Sequence, residues 1–369
     1  MSYQYRNLTR SDLGKWVNFH TIVYGANHIL NDLPYIKWFL GSSPDSLDQE
    51  YETLIATTET GEIAGTYGVL PAKLRIRDEI FSFCWYVSGM VHPDHRNKGI
   101  GKKFVDILLD KFDFCGVISF NEGVRRNYER FGFHFFENRT LRRYIKILNS
   151  SAFDLVEKIG FDKTQAAIDF PVQKALKQEE NDRCALVFAF EKDVVECVNA
   201  MRPRVKCMIV RSSDFLNWRY ILNPRIHYEI FAIIDKGSWK SYIVARREQF
   251  QPTNIYGSRV IDMAGKLDNV IPLLKKIENN ARERGDSFID YSFTGNYFEE
   301  CLNDLHYKEL IGTNYGIFPL VSSPIEKREN HEYICIGSKK YDEKLKDITF
   351  SDLYFTRGDA DRDRANRPY

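Results

Sequence analysis

The sequence predicts an α/β (α+β) chain of two successive domains with one plan, each a mixed, twisted sheet flanked by helices, the second a degenerate copy of the first. Three observations carry this prediction. Strand and helix patterns alternate along residues 1–150 in the manner of a layered α/β domain. A glycine-bearing seam, MVHPDHRNKGIG at residues 90–101, joins an apolar strand to an amphipathic helix. Residues 151–350 then repeat several patterns of the first half at a displacement of 180 residues, the signature of duplication.

Taken in order, a short strand near Tyr3 to Asn7 precedes TRSDLGKWVNFHTIVYG, which opens on a Ser/Asp cap and continues at helical spacing. The stretch from Tyr51 to Val91 reads as three antiparallel strands, with turns at Thr60-Gly61 and Arg77-Asp78. From Gly99 onward, Ile100, Phe104, Ile107, Leu108 and Phe112 define the buried stripe of a helix whose other face carries Lys102, Lys103, Asp106 and Lys111. CGVISFN follows as a short buried strand. EGVRRNYERFGFHFFE is a short helix ended by a glycine and then a further strand.

The seam delivers unpaired backbone N–H groups at a helix start, where glycines permit close approach and the helix dipole favours anions. A phosphate or pyrophosphate is the expected guest. Taken alone, the six residues RNKGIG also describe a glycine-softened turn with solvated Lys and Arg side chains, so the setting decides. That setting is VHPDHRNKGIG followed, about thirty residues later, by NEGVRRNYERFGF. Together they resemble the GNAT superfamily of acyl-CoA-dependent N-acyltransferases over about residues 1–148. The resemblance implies that Arg96, Asn97, Lys98, Gly99, Ile100, Gly101 and Lys102 wrap the CoA pyrophosphate, and that Asn121 joins them. It also implies that backbone groups of Met90 and Val91 hold the pantetheine arm, and that Tyr128 faces the thioester sulfur as the acid. No residue stands out as a base: His20, His28 and Glu122 are candidates by position, and an amine can also lose its proton to water.

Within the repeat, Trp38 stands six residues before Pro44 and Trp218 six before Pro224. EIFAIIDKGSWKSYIVARRE matches the first hairpin, and SRVIDMAGKLDNVIPLLKKIENNARERG matches strand-loop-helix. SFIDYSFTGNYFEECLNDLHYKEL matches the closing strand-helix-strand. GKLDNV stands where the glycine loop belongs, with Asp268 set to repel phosphate, so the second copy is not expected to bind CoA in this way. The expected domains are residues 1–150, residues 151–350 and an Asp/Arg-rich tail from 351 to 369. The boundary falls between Asn149 and Asp169, where strand patterning lapses.

The tail FTRGDADRDRANRPY reads first as a solvated or disordered segment. It also resembles the tails of bacterial tandem GNAT proteins of surface-polysaccharide synthesis, with Arg357, Arg362, Arg364 and Arg367 as forks for an acceptor diphosphate. Trp218 and Arg219 are then candidates for base stacking and phosphate pairing, and His28 for lining the acceptor cleft. The resemblance implies acyl transfer, acetyl or 3-hydroxybutanoyl, from acyl-CoA to a dTDP-linked amino sugar. A free amine or a protein is the alternative acceptor, and a non-catalytic acyl-CoA module the alternative class.

Composition narrows the field. Fifty-two basic and 51 acidic side chains leave a net charge of +1, which argues against a nucleic-acid partner. Seven cysteines without a C-x-x-C pair suit a reducing, cytoplasmic setting, and a polar start with no long apolar run argues against membrane insertion. His92 and His95 flank Pro93 without a carboxylate partner set, so no metal is expected. Aromatic side chains, 14% of the chain, serve bulky cores.

Overall fold

In the computed structural model, the strand-rich stretches of the two halves form two large sheets; residues 2–47, 49–118, 120, 122–136, 141–175, 183–327 and 333–365 are described. The first half contributes β1 (Gln4–Asn7), β2 (Leu54–Thr57), β3 (Ile63–Ile76), β4 (Glu79–Val91), β5 (Phe114–Ile118), β6 (His134–Phe135) and β7 (Arg142–Ile147). Its helices are α1 (Leu13–Tyr24), α2 (Leu33–Gly41), α3 (Ile100–Lys111) and α4 (Glu122–Arg130). The second half adds β8 (Cys184–Leu186), β9 (Cys207–Ile209), β10 (Glu229–Asp235), β11 (Ser238–Phe250), β12 (Ile255–Gly265), β13 (Phe288–Phe293) and β14 (Lys308–Leu310). A small hairpin, β15 (Val321–Ser322) and β16 (Ile325–Glu326), precedes β17 (Ile334–Gly337) and β18 (Leu353–Tyr354).

The halves repeat one another element by element. The antiparallel pair β3–β4 and the parallel step to β5 recur as β11–β12 and the parallel step to β13. Helix α3 between β4 and β5 recurs as Leu267–Glu283 between β12 and β13. In α3 the residues buried against the sheet, Ile100, Phe104, Val105, Leu108 and Leu109, follow the helical period read from the sequence.

The sheets do not divide at residue 150. β17, from the end of the second half, lies between β5 and β6 of the first sheet, antiparallel to both. β7, from the end of the first half, lies between β13 and β14 of the second sheet. Each half thus leaves a slot beside the strand that follows its long helix, β5 or β13, and a strand from the end of the other half fills it. All six residues of β7 are buried, because both its edges are paired and both its faces covered.

The tail also departs from the solvated segment expected of it. Leu353, Tyr354, Phe355 and Ala360 are buried, and Asp359 and Asp363 are each only 1% exposed. Their charges are met by arginines far away in sequence: Asp359 pairs with Arg211 and Asp363 with Arg246. Alternating Asp and Arg reads as a solvated run because a sequence does not display such distant partners; a paired charge can be buried, whereas an unpaired one rarely is.

At the seam between the halves, the two repeated tryptophans meet. Trp38 Nε1 donates to the Trp218 carbonyl at 2.9 Å, Trp218 Nε1 donates to the Trp38 carbonyl at 3.2 Å, and the rings stack 5.5 Å apart. This reciprocity is that of a pseudo-twofold axis. Among the described residues no helix is long and apolar enough to cross a membrane, and no cluster of three metal-ligating side chains occurs.

Candidate functional site

The site begins with a defect in β4. Thr66 of β3 pairs with Met90 and Gly68 with Val87, so Tyr67 alone faces the two residues Ser88 and Gly89. This is a β-bulge, and Ser88 within it holds φ +53°, a left-handed conformation costly for serine. Gly68 and Gly89 are required here. A Cβ at Gly68 would fall 2.2 Å from the Val87 carbonyl oxygen, and one at Gly89 would fall 2.5 Å from the Tyr67 ring. The parallel ladder to β5 covers Phe83 to Trp85. Beyond it β4 and β5 splay apart, and a cleft of about 1050 Å³ opens between them.

Helix α3 starts at one end of this cleft. Asn97 at φ +61° and Gly99 at φ +79° turn the chain so that the first N–H groups of α3 face outward. A Cβ at Gly99 or Gly101 would meet nothing within 4 Å, and Gly101 lacks even a positive φ to require glycine. The protein's own packing does not ask for glycine at 101, and the space before the helix stays open. Asn97, Gly99, Gly101 and Lys102 line the cleft. Arg96 and Lys98 are exposed beside it, and Ile100 is buried in the core, 1% exposed, so it offers only its backbone. Met90 and Val91 pair with Thr66 and Gly65 on one side and lie past the β5 ladder on the other. Asn121 lies outside the described residues, as does Arg367.

Tyr128, on α4, lines the cleft with its hydroxyl 2.9 Å from that of Tyr67. Burial pushes both phenols above their ordinary range, while the Tyr67 hydrogen bond pulls that of Tyr128 back down in part. Tyr67 went unremarked in the sequence, as did the bulge, although a Ser-Gly pair inside a strand pattern is a recognised bulge signal.

A second chamber of about 350 Å³ adjoins the cleft. Tyr24, His28, Ser322, Arg246, Glu248 and Arg357 are among its walls, and Ser88, Asp361, Arg362 and Arg364 line both cavities. The bulge and the tail therefore form the junction. Arg364 donates to the Asp361 carbonyl at 2.8 Å, pairs with the Asp361 carboxylate and reaches Ser88 Oγ at 3.5 Å. His28 stacks on Tyr24 at 4.4 Å and accepts from the Leu30 N–H through Nδ1.

Other candidates fall elsewhere. Trp218 and Arg219 are 3% and 0% exposed and so cannot stack on or pair with a nucleotide. Arg219 instead donates to the Ala360 carbonyl at 2.7 Å and lies over the Trp38 ring, tying the tail to the seam. His20 is sealed against Trp16, and burial lowers its pKa to about 4. Cys84 lies 3.6 Å from Cys115 in the core, and burial pushes its thiol well above the usual range, against a nucleophilic role.

The second half shows what became of the same geometry. β12 and β13 also splay, but Tyr354 from the tail fills the gap. Its hydroxyl donates to the Met263 carbonyl, accepts from the Met263 N–H at 3.4 Å and meets the Tyr291 hydroxyl at 2.6 Å. Asp262 adds a contact at 3.2 Å. Where the first half keeps space at its helix start, the second packs solid: a Cβ at Gly265 would lie 2.5 Å from the Ser241 Cβ.

Comparison with known proteins agrees with this geometry. Residues 23–133 match the Acetyltransferase (GNAT) family. The match lies within the first half of the chain. Solved structures extend the likeness to nearly the whole chain. A GCN5-related N-acetyltransferase from Anabaena variabilis is similar with a TM-score of 0.54 at 12% identity, over 90% of this chain and 72% of that one. A probable N-acyltransferase from Enterococcus faecalis gives 0.57 at 7%, over 91% and 72%. Saccharomyces cerevisiae N-myristoyltransferase with bound myristoyl-CoA gives 0.51 at 7%, over 91% and 82%. At such identities these structures establish a shared fold. Comparison with curated protein sequences gives no significant match.

Proposed function

We propose that this protein is a GNAT-type enzyme that transfers an acyl group, acetyl or 3-hydroxybutanoyl, from acyl-CoA to the amino group of a nucleotide-linked amino sugar, both substrates being bound together. The observation that carries the proposal is the junction at Ser88. On one side lies a cleft with an open helix N-terminus; on the other lies a chamber walled by Arg246, Arg357, Arg362 and Arg364. A pyrophosphate suits the first, and an acceptor bearing phosphate suits the second. That the yeast relative of this fold holds myristoyl-CoA supports the choice of donor.

The chemistry follows from the parts. Backbone N–H groups released by the bulge polarise the thioester carbonyl, where they are already oriented for the developing oxyanion. The acceptor ammonium gives one proton to solvent, the nitrogen lone pair attacks the carbonyl carbon, and collapse breaks the C–S bond. The nitrogen then loses its second proton as the amide forms, and the thiolate takes one up. A thiol of pKa about 8.5 leaves readily as thiolate. The raised phenol of Tyr128 is therefore a hydrogen-bond donor to the sulfur more than a full acid, which makes its contribution modest.

Calorimetric titration with CoA, followed by thiol release from acetyl-CoA in the presence of a dTDP-linked amino sugar, tests the proposal. Micromolar CoA binding and acceptor-dependent release support it. CoA binding with release prompted only by phosphate-free amines or proteins moves the function to those acceptors, and no CoA binding ends the acyltransferase reading.

A further inference from the structure

Charged groups of both signs line the acceptor chamber. Asp361 lines both cavities and so stands where the acceptor's reacting end must meet the thioester, whereas Arg357 lines the chamber alone. Arg357 is 9% exposed; one guanidinium nitrogen donates to the Leu320 carbonyl at 3.4 Å, while Nη1 is buried and makes no hydrogen bond among the described residues. A buried guanidinium N–H without an acceptor is costly to leave so, and a ligand oxygen supplies what the protein does not. The chamber's other carboxylate makes no hydrogen bond to it. Glu248 Oε1 already accepts from Arg246 at 2.9 Å and Ser322 at 2.6 Å, and Oε2 faces Arg259 at 2.5 Å.

At the junction the arrangement is reversed. Asp361 is 8% exposed, and its carboxylate is the sole acidic group among the four residues shared by the two cavities. Arg364 pairs with Oδ2 and also reaches Ser88 Oγ, so one guanidinium ties the carboxylate to the bulge. An amine arrives largely as ammonium at neutral pH. The carboxylate is placed to receive it beside the bulge.

We infer that the chamber reads a two-ended acceptor, with Asp361 anchoring the ammonium at the junction and Arg357 binding an anionic oxygen, a phosphate of the nucleoside diphosphate, inside the chamber. This rests on the acyltransferase reading above and adds to it which residue meets which end. Asp361 is here a binding and positioning group, and the amine's proton passes to solvent.

The test uses the full chain and separates the two readings. Thiol release from acetyl-CoA is followed with a dTDP-linked amino hexose and with the same amino hexose lacking the nucleotide, and dTDP binding to the CoA-saturated protein is measured by calorimetry. Wild type is expected to prefer the nucleotide-linked acceptor at least 100-fold in kcat/KM. R357Q should abolish that preference through KM, with kcat within about threefold, and should abolish dTDP binding. R357K should retain part of both. D361N should lower kcat/KM about 100-fold on both acceptors, while CoA affinity stays unchanged. Retained preference in R357Q, or D361N within threefold of wild type, overturns the inference and leaves the acyltransferase reading standing. The dTDP titration does not depend on acyl transfer. If wild type acylates neither hexose yet binds dTDP in a manner lost in R357Q, the amino-sugar reading falls and the Arg357 site stands; if wild type binds no dTDP, the site is overturned. Should R357Q fail to fold, R357K read by the same titration decides: a weakened but measurable dTDP affinity supports the contact, and an unchanged affinity overturns it.

Discussion

The first and second halves share one plan and have opposite interiors at the same place. In the first, the splay between β4 and β5 is open and about 1050 Å³ in volume. In the second, the splay between β12 and β13 is filled by Tyr354, whose hydroxyl bonds to the free edge of β12. A parallel pair that separates leaves backbone N–H and C=O groups without partners, and these must find water, a ligand or another part of the chain. The second half uses its own chain for this. The comparison teaches that an open cleft in this fold is maintained by withholding a filler: the geometry alone would accept one.

The comparison can be broken most severely by separating the halves. Residues 1–150 alone would lack β17, which pairs with both β5 and β6, and would leave the buried strand β7 unpaired. No cooperative unfolding transition is expected for that fragment by circular dichroism, whereas co-expression with residues 151–369 should recover a soluble, cooperatively folding pair. A stable, well-dispersed fragment would show the exchange to be dispensable.

The two helix starts give the next largest effect, with opposite sign of consequence. Gly101→Val enters open space, so the melting temperature should stay within about 2 °C while CoA affinity falls about a thousandfold, ~4 kcal/mol. Gly265→Ala meets Ser241 and the Lys240 carbonyl and should cost about 1–3 kcal/mol of stability with CoA affinity unchanged. Equal effects of the two on CoA binding would erase the distinction between the clefts.

A pH dependence marks the first half. His20 has its pKa lowered by burial to about 4, below the ordinary 6.5. Between those values the unfolded chain binds the proton and the folded one does not, so this contribution is complete above about pH 6.5 and is lost as pH falls toward 4. It amounts to about 3 kcal/mol. Urea unfolding across that window should show the loss in wild type and a flatter profile in His20→Phe. Smaller still is Tyr354→Phe, which removes the hydroxyl from Met263 and Asp262 and should cost about 1–2 kcal/mol in the same assay without touching CoA affinity. An unchanged stability would show that the hydroxyl fills space without bonding.

Much of the site was legible because it is local. The αL turn at Gly99, the amphipathic period of α3 and the tyrosine of α4 each depend on residues near in sequence, and short-range patterning reports such things directly. The bulge was legible in principle from Ser88-Gly89 and was not read. Trp38 and Trp218 were paired by their spacing from proline, yet their role was read as a nucleotide platform for Trp218, when each in fact hydrogen-bonds the other's backbone. The spacing carried the kinship of the two segments; it carried nothing about which way the rings point.

The sequence by itself determined the element order, the repeat and the glycine loop, since propensity, period and turn chemistry act over a few residues. Only the tertiary structure decided the exchange of β7 and β17, the burial of the tail and the chamber that Asp361 and Arg357 line. These rest on contacts between residues more than a hundred positions apart, such as Arg211 with Asp359 and Arg246 with Asp363. A charge is written the same way in a sequence whether water or an opposite charge will meet it, and burial depends on which.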